Sequence, residues 1–307
     1  MQQNTTRRLL PESVRVTIDR YCAQRPAQKD ILEAFAPLLE TRSQLEAIFV
    51  EEPLELDIVD QARHGQGVPL LSDINIDVLM PWISRSADTI LPVLLEMIPD
   101  NRAITAIADA LKAGRLDLKT CCLSRISNDG TSLQKRAEAA GLDAGTLAFV
   151  IDQVLGAPVG ALAQKINAML ADFNWNEGYC PICGTLPSYG TLSRPEPTEL
   201  DALVGGGGQK HLHCALCGNT WRYRRDACPA CGNSHPGTRE IYHAEKATQE
   251  RIEVCSKCNS YFPCIDLREY ETDPHGLVVP LALMHLDLIA AQNQLRPLVP
   301  APWNTFS

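Results

Sequence analysis

Up to about residue 173 the apolar residues recur at helical spacing. Ile31, Leu32, Phe35, Leu38 and Leu39 form one stripe, and Ile104, Ile107 and Leu111 form a second. Leu147, Val150, Ile151 and Val154 follow i, i+3, i+4, i+7; Leu162, Ile166, Met169, Leu170 and Phe173 keep the rhythm with small shifts. Start and stop signals agree with that period. Thr131 and Gln134 have the spacing of a capping box, and Pro158 suits a first helical turn. Gly114, Gly141 and Gly156 stand where helices should end. Residues 1–174 therefore read as a helical domain whose stripes are core. The stretch around Gly65-Gln66-Gly67 and Pro69 shows no period and reads as loop.

After Phe173 the pattern turns to short strands. His211-Leu212-His213 runs into Cys214, Trp221-Arg222-Tyr223-Arg224 follows Gly218, and Arg251-Ile252-Glu253-Val254 runs into Cys255. Ser193 to Gln209 is polar, with Pro195, Pro197 and glycines at 205–208, and reads as an excursion between strands. A knuckle–strands–knuckle unit occurs twice, at about 178–224 and 226–264, which is an internal duplication in pattern. Leu277 to Leu295 predicts one more helix, carried by Leu281, Met284 and Leu288 and able to pack back on the first domain. The fold class is thus α+β and multidomain: a helical domain over 1–174, two ribbon-like modules over 175–225 and 226–270, and a helical segment over 271–307.

The strongest chemical signal lies in the modules. Four Cys-x-x-Cys pairs fall within 79 residues: Cys180/Cys183, Cys214/Cys217, Cys228/Cys231 and Cys255/Cys258. Two cysteines three positions apart on a tight turn aim both sulfurs at one ion, and a second such turn completes a tetrahedron. Gly184, Gly218 and Gly232 follow three of the pairs and Asn259 the fourth. These are the residues that tolerate the positive φ such a turn needs. Sequential pairing puts Cys180, Cys183, Cys214 and Cys217 on one ion and Cys228, Cys231, Cys255 and Cys258 on the other. That choice closes each site over short loops, which lose less entropy than interleaved ones. A cross-braced arrangement, first pair with third, is the alternative and requires both modules to fold as one.

Four thiolates fit zinc or iron, and ligand type alone does not choose. A closed four-cysteine site leaves no open coordination position, which argues against metal-centred hydrolysis. The cluster is anionic and calls for nearby cations. Residues 209–246 offer Lys210, Arg222, Arg224, Arg225, Arg239 and Lys246 against Asp226, Glu240 and Glu245. The chain as a whole carries −9, which disfavours a general nucleic-acid binder. Arg222 to Arg225 interleaved with Trp221 and Tyr223 remains the one face a zinc-ribbon nucleic-acid protein would use.

Met1 to Pro11 holds Arg7 and Arg8 with no apolar stretch behind them, so no export signal is read there. No run approaches the roughly 20 apolar residues of a membrane helix, and no membrane insertion is expected. Twelve cysteines without an export signal imply a reducing compartment, the cytoplasm. Cys121-Cys122 reads as two buried small hydrophobes and Cys264 as a strand residue facing the core, with a spare ligand as its alternative. Cys22 carries no signal. Eight cysteines fill eight ligand positions, so His211, His213, His235 and His243 read as surface groups or as neighbours of the sulfurs.

The arrangement resembles the formate dehydrogenase accessory protein family (FdhE). The likeness rests on Tyr179-Cys180-Pro181-Ile182-Cys183-Gly184, on His211-Leu212-His213-Cys214-Ala215-Leu216-Cys217 with Trp221, on Cys228-Pro229-Ala230-Cys231, and on Arg251-Ile252-Glu253-Val254-Cys255-Ser256-Lys257-Cys258. Asp273-Pro274-His275 also fits, so the resemblance is specific over about 178–290 and generic before. It implies a cytoplasmic maturation factor without turnover, needed for active respiratory formate dehydrogenase and contacting its catalytic subunit before export. It also implies two rubredoxin-like iron sites held by the eight cysteines, and so leaves open a rubredoxin-type electron-transfer role.

Overall fold

Short polar side chains begin five of the helices. Ser13, Asn101, Asp117, Asp129 and Asp143 each accept a hydrogen bond from a backbone N–H of the turn that follows, satisfying donors a helix start leaves unpaired. The computed structural model describes residues 11–55, 61–98, 101–127, 129–167, 175–194, 208–244 and 247–305. Its first half holds α1 (Val14–Gln24), α2 (Lys29–Glu51), α3 (Gln61–Gly65), α4 (Met80–Met97), α5 (Arg102–Lys112), α6 (Leu118–Ile126), α7 (Gly130–Ala140) and α8 (Ala144–Ile166). The apolar stripes face inward: Leu32, Leu38, Ile104, Ile107, Val150 and Val154 are buried. Met169, Leu170, Phe173 and most of the 193–209 excursion lie outside the described residues.

Two sequence expectations fail here for identifiable reasons. Asp129, not the Thr131/Gln134 pair, caps α7; its carboxylate takes the Ser132 N–H at 2.9 Å, and Thr131 falls inside the helix. Gly156 does not end a helix, nor does Pro158 start one, because α8 runs through both. Gly156 serves packing instead. A Cβ there would lie 2.0 Å from the Arg42 guanidinium of α2, and one at Gly160 would lie 2.8 Å from the Glu46 carboxylate. Helices α2 and α8 therefore cross closely because glycines leave room for two charged side chains. By length and composition α8 could cross a membrane, which a search for unbroken apolar runs misses; 72% of its apolar window is buried inside the protein.

The second half is built on one sheet. Strands β1 (Pro187–Leu192), β2 (Lys210–Cys214) and β3 (Thr220–Arg222) form an antiparallel meander; β4 (Arg239–Ala244), β5 (Ala247–Cys255) and β6 (Ser260–Asp266) form another. Parallel pairing of β1 with β6, Gly190↔Cys264 to Leu192↔Asp266, joins them in the order β3-β2-β1-β6-β5-β4. In a flat sheet β2 and β5 would stand roughly 14 Å apart, three strand spacings. Lys210 of β2 nonetheless reaches Glu253 of β5 at 2.6 Å, with its ammonium over the Phe262 ring of the intervening β6. Gly178 sits where the two cysteine modules abut, since a Cβ there would come within 2.1 Å of the Pro229 carbonyl.

The C-terminal segment returns to the helices. Its apolar stretch forms α9 (Val279–Ala282) and α10 (Met284–Gln292), and Arg296–Pro297 forms β7 beside β6. Val278, Leu281 and Ala282 share a core with Val14, Ile18 and Tyr21 of α1 and Leu32 of α2. A larger core joins α4, α5 and α8 to Cys180, Cys183, Cys214 and Cys217. The mixed architecture read from the sequence, helical first and then paired cysteine modules with a short helix after them, is the one observed.

Candidate metal centres

Three of the four Cys-x-x-Cys turns are built by the same local bonds. The Gly184 N–H donates to the Cys180 carbonyl at 2.9 Å while the Cys180 N–H donates to the Thr185 carbonyl at 2.9 Å. Cys214 repeats this with Gly218 and Asn219, and Cys228 with Gly232 and Asn233. The closing residue has φ of +73°, +66° and +67° at Gly184, Gly218 and Gly232, and 55° at Asn259. Those angles explain the glycine and asparagine punctuation. Backbone N–H groups turn toward sulfur, from Ile182 to Cys180 and from Leu216 to Cys214, both at 3.4 Å.

The turns bring the sulfurs together in two groups: Cys180, Cys183, Cys214 and Cys217 in one, Cys228, Cys231, Cys255 and Cys258 in the other, each within 4.8 Å. Separations of 3.6 Å (Cys180–Cys217), 3.3 Å (Cys183–Cys214) and 3.8 Å (Cys228–Cys258 and Cys231–Cys255) are present. A tetrahedron with metal–sulfur bonds of about 2.3 Å has edges of about 3.8 Å, so the donor sets fit one metal ion each. Burial pushes the Cys180 and Cys217 thiols well above their ordinary range. A cation between the sulfurs is what would hold all four as thiolates. Cys228 is likewise pushed up by burial, to about 12. At Cys255 burial acts the same way but is outweighed by the Cys258 and Lys257 N–H groups, and the thiol falls to about 7.

The first group is enclosed by the helical half. The segment read as an uninformative loop docks on its first turn: the Leu70 and Leu71 N–H groups donate to the Pro181 and Ile182 carbonyls at 3.0 and 2.8 Å. The Tyr179 hydroxyl reaches the Gly67 carbonyl at 2.8 Å, and His64 stacks on Trp175. The same loop also buries Leu70 and Leu71 in the main core, two adjacent positions that set no helical or strand period. A cation beside the first group is Arg125 of α6, which no spacing rule singles out. It holds Asp152 of α8 through two bonds. Burial lowers the Arg125 pKa, but Asp152 and the nearby Cys183 and Cys214 sulfurs outweigh that and raise it. Buried Arg42 donates to the Leu216 carbonyl of the second turn at 3.5 Å and to Gln153 at 2.8 Å.

Of the basic residues of 209–244, Lys210, Arg239, Arg224 and Arg225 are engaged by other protein groups. Lys210, Arg239 and Arg251 all converge on Glu253, at 2.6, 2.6 and 3.2 Å, and Arg239 shares a small cleft with Cys228 and Cys255. Exposed Arg224 pairs with Asp226; Lys246 lies outside the described residues. Asn219 and Asn233 donate to the Cys180 and Cys255 sulfurs at 3.9 and 3.8 Å. The repeated Cys-Gly-Asn at 217–219 and 231–233 was the signal for them. His213 bonds Thr191 and Thr220 at 3.0 Å each and stacks on Tyr189; burial, then His211, lowers its pKa to about 3. Cys121, Cys122 and Cys264 are buried, and Cys264 lies apart from both groups.

Fold and site together define a class: a helical protein carrying paired knuckle modules, each with four sulfurs arranged for a metal ion. Known proteins share these features. A curated FdhE homologue of Aquifex aeolicus is 34% identical over 123 residues, 39% of each chain, and one of Stutzerimonas stutzeri is 26% identical over 278 residues, 87% of this chain and 76% of that one. The crystal structure of the FdhE protein from Pseudomonas aeruginosa superposes with a TM-score of 0.60 over 95% of this chain and 96% of that one, at 18% identity, a likeness of fold. No protein-family model matches. Along most of its length the chain is thus similar to FdhE proteins.

Proposed function

We propose that this chain is a cytoplasmic accessory protein for the maturation of respiratory formate dehydrogenase, which binds the catalytic subunit of that enzyme before export and acts without turnover. The observation that carries the reading is the pairing of two closed four-sulfur groups with likeness to FdhE proteins along most of the chain. Cys180, Cys183, Cys214 and Cys217 hold one ion in this reading; Cys228, Cys231, Cys255 and Cys258 hold the other. Iron is the proposed metal, and zinc fits the same donors. When bound, the metal crosslinks turns that have little core of their own, supplying on the order of 10 kcal/mol per site in zinc-type knuckles; iron would add a one-electron couple. Around it the chain does three things. It directs N–H groups at sulfur, keeps water from the first site, and sets Arg125 against the anionic charge. Residues 1–174 then present the client-facing surface, 175–225 and 226–270 form the metal modules, and 271–307 tie them to the helices.

Deleting the gene and purifying tagged protein from the native host tests the reading. Lost formate dehydrogenase activity, with the catalytic subunit co-purifying, is the expected result; full activity with no co-purification removes the proposal. Metal analysis with a visible spectrum is expected to give two irons per chain and a red ferric–thiolate colour. Two zincs without colour would remove iron and leave the accessory role.

A further inference from the structure

Behind the second cysteine group stand three cations and one carboxylate. Glu253 of β5 accepts from Lys210 of β2, Arg239 of β4 and Arg251 of β5 at 2.6, 2.6 and 3.2 Å. Asp266, which also acts on Arg251, is bonded to Arg268. Lys210 is 1% exposed and suffices to cancel Glu253. Arg239 and Arg251 are then left over, with side chains only 17 and 13% exposed. The Arg239 Nε and Nη1 and the Arg251 Nε are buried and have no hydrogen-bond partner. Buried charge in excess is strongly unfavourable unless an opposite charge answers it.

That opposite charge lies along the same face of the sheet. Side chains alternate along a strand, so Arg251, Glu253 and Cys255 of β5 share one face. Arg239 of β4 is the ladder partner of Cys255. Residues directly opposite across such a ladder point the same way, with Cβ atoms about 4.5–5.5 Å apart. Arg239 and Glu253 also line one small cleft with Cys228 and Cys255, and the cleft has no space for a water molecule, hence none for a free anion. Four thiolates around a divalent ion carry about −2, which is the charge the two arginines leave unmatched.

We propose that Arg239 and Arg251 are the counter-charge of the second metal centre, and that Glu253 positions them and limits their excess. The inference rests on reading Cys228, Cys231, Cys255 and Cys258 as a metal centre and is independent of the client. Its consequence with iron is a redox bias. Fe(II) leaves the group one charge more negative than Fe(III), so the two arginines favour the reduced ion.

The probe is Co(II) on the full chain, read through cobalt–thiolate absorption in competition with a chelator. The equivalent that Cys231→Ser lacks is the second centre. Removing a unit charge at this range changes an equilibrium constant by about tenfold. Arg239→Met is therefore expected to weaken Co(II) at the second centre about tenfold, and Glu253→Gln to tighten it about tenfold. Arg239→Lys, which keeps the charge, is expected to retain most of the affinity, and the first equivalent stays unchanged in all three. A merely structural network gives another set of results. Both Arg239 variants would lose alike, and Glu253→Gln would weaken binding because it strips buried cations of their acceptor. Either result, or a change confined to the first equivalent, overturns the proposal. Circular dichroism confirms that each variant folds; if Glu253→Gln does not, the two Arg239 variants decide alone. On the iron-loaded chain, a reductive titration is expected to find the second centre of Arg239→Met harder to reduce by the same factor, tenfold being about 59 mV for one electron. An unmoved midpoint overturns the redox bias. A wild-type chain that takes one Co(II) instead of two removes the metal reading together with the proposal, whereas failure to co-purify a formate dehydrogenase subunit removes the client reading alone.

Discussion

The two cysteine groups share their local parts and differ in their surroundings. Both are made of two turns closed by a left-handed residue, and in both an asparagine after Cys-Gly reaches a sulfur. In the first, Cys180, Cys183, Cys214 and Cys217 are 0, 1, 4 and 5% exposed and belong to the core shared with α4, α5 and α8. In the second, Cys231 is exposed and Cys258 half-buried. A metal turn is thus specified by about six residues, whereas its accessibility is set by what the chain folds over it. We expect the first site to act as part of the core and the second as a surface centre open to exchange.

The largest effect should come from the ligands themselves. Cys180→Ser is expected to remove one metal and the cooperative thermal transition with it, because the buried site and the main core stand together. Cys231→Ser is expected to remove one metal and lower Tm by about 5–10 °C. On the intact protein, a pyridylazoresorcinol chelator should draw out one equivalent at least ~10 times faster than the other, since closed burial hinders ligand exchange. Cys231→Ser should lack the fast phase. Equal losses and a single release rate would break the comparison.

Next in size is Arg125→Met, which leaves the Asp152 carboxylate without its cation and takes a positive charge from beside Cys183 and Cys214. The expected destabilisation is about 3 kcal/mol by denaturant titration, with only the slow metal-release phase accelerated. A change in the fast phase instead would mean that Arg125 does not act on the first site.

A smaller effect belongs to the sheet under the second module. Asp287 of α10 bonds the Tyr261 hydroxyl at 2.7 Å, and burial, partly offset by that bond, raises its carboxyl to about 7. The folded chain therefore keeps this proton up to about pH 7, while the unfolded chain releases it near pH 4. The stability this gives is complete below about pH 4 and is lost as pH rises through about 7. Asp287→Asn should add about 2 kcal/mol at pH 8 and nothing at pH 4 in urea denaturation. A gain independent of pH would refute the assignment.

The smallest expected effects separate the two asparagines. Asn219→Ala should remove about 1 kcal/mol. Asn233→Ala should remove less, because Asn233 is only half-buried and water can replace its amide. Equal losses would show that the bond to sulfur, rather than burial, sets the contribution.

Helical stripes and metal turns were legible in the sequence because each is a short-range pattern. A stripe is fixed by spacing within one helix, and a turn by Cys-x-x-Cys with its glycine or asparagine. Misreadings fell where a distant partner decided a residue's role. Gly156 resembles a stop signal until Arg42 is placed against it, and Pro158 resembles a start until α8 is seen to continue through it. The loop around Gly65 carries no period, yet it clamps the first metal turn through backbone bonds that no side-chain pattern encodes. Lys210 was assigned to offset the thiolates and is instead committed to Glu253 of β5.

The sequence by itself determined the helical half, the duplicated modules and the sequential grouping of eight cysteines, because local bonds and short loops are enough to specify them. Only the tertiary structure decided which group is buried, that Arg125 stands beside it, and that Arg296–Pro297 pairs beside β6. Each of those depends on contacts between residues far apart in the chain, where the packing of one element against another overrides what either shows alone.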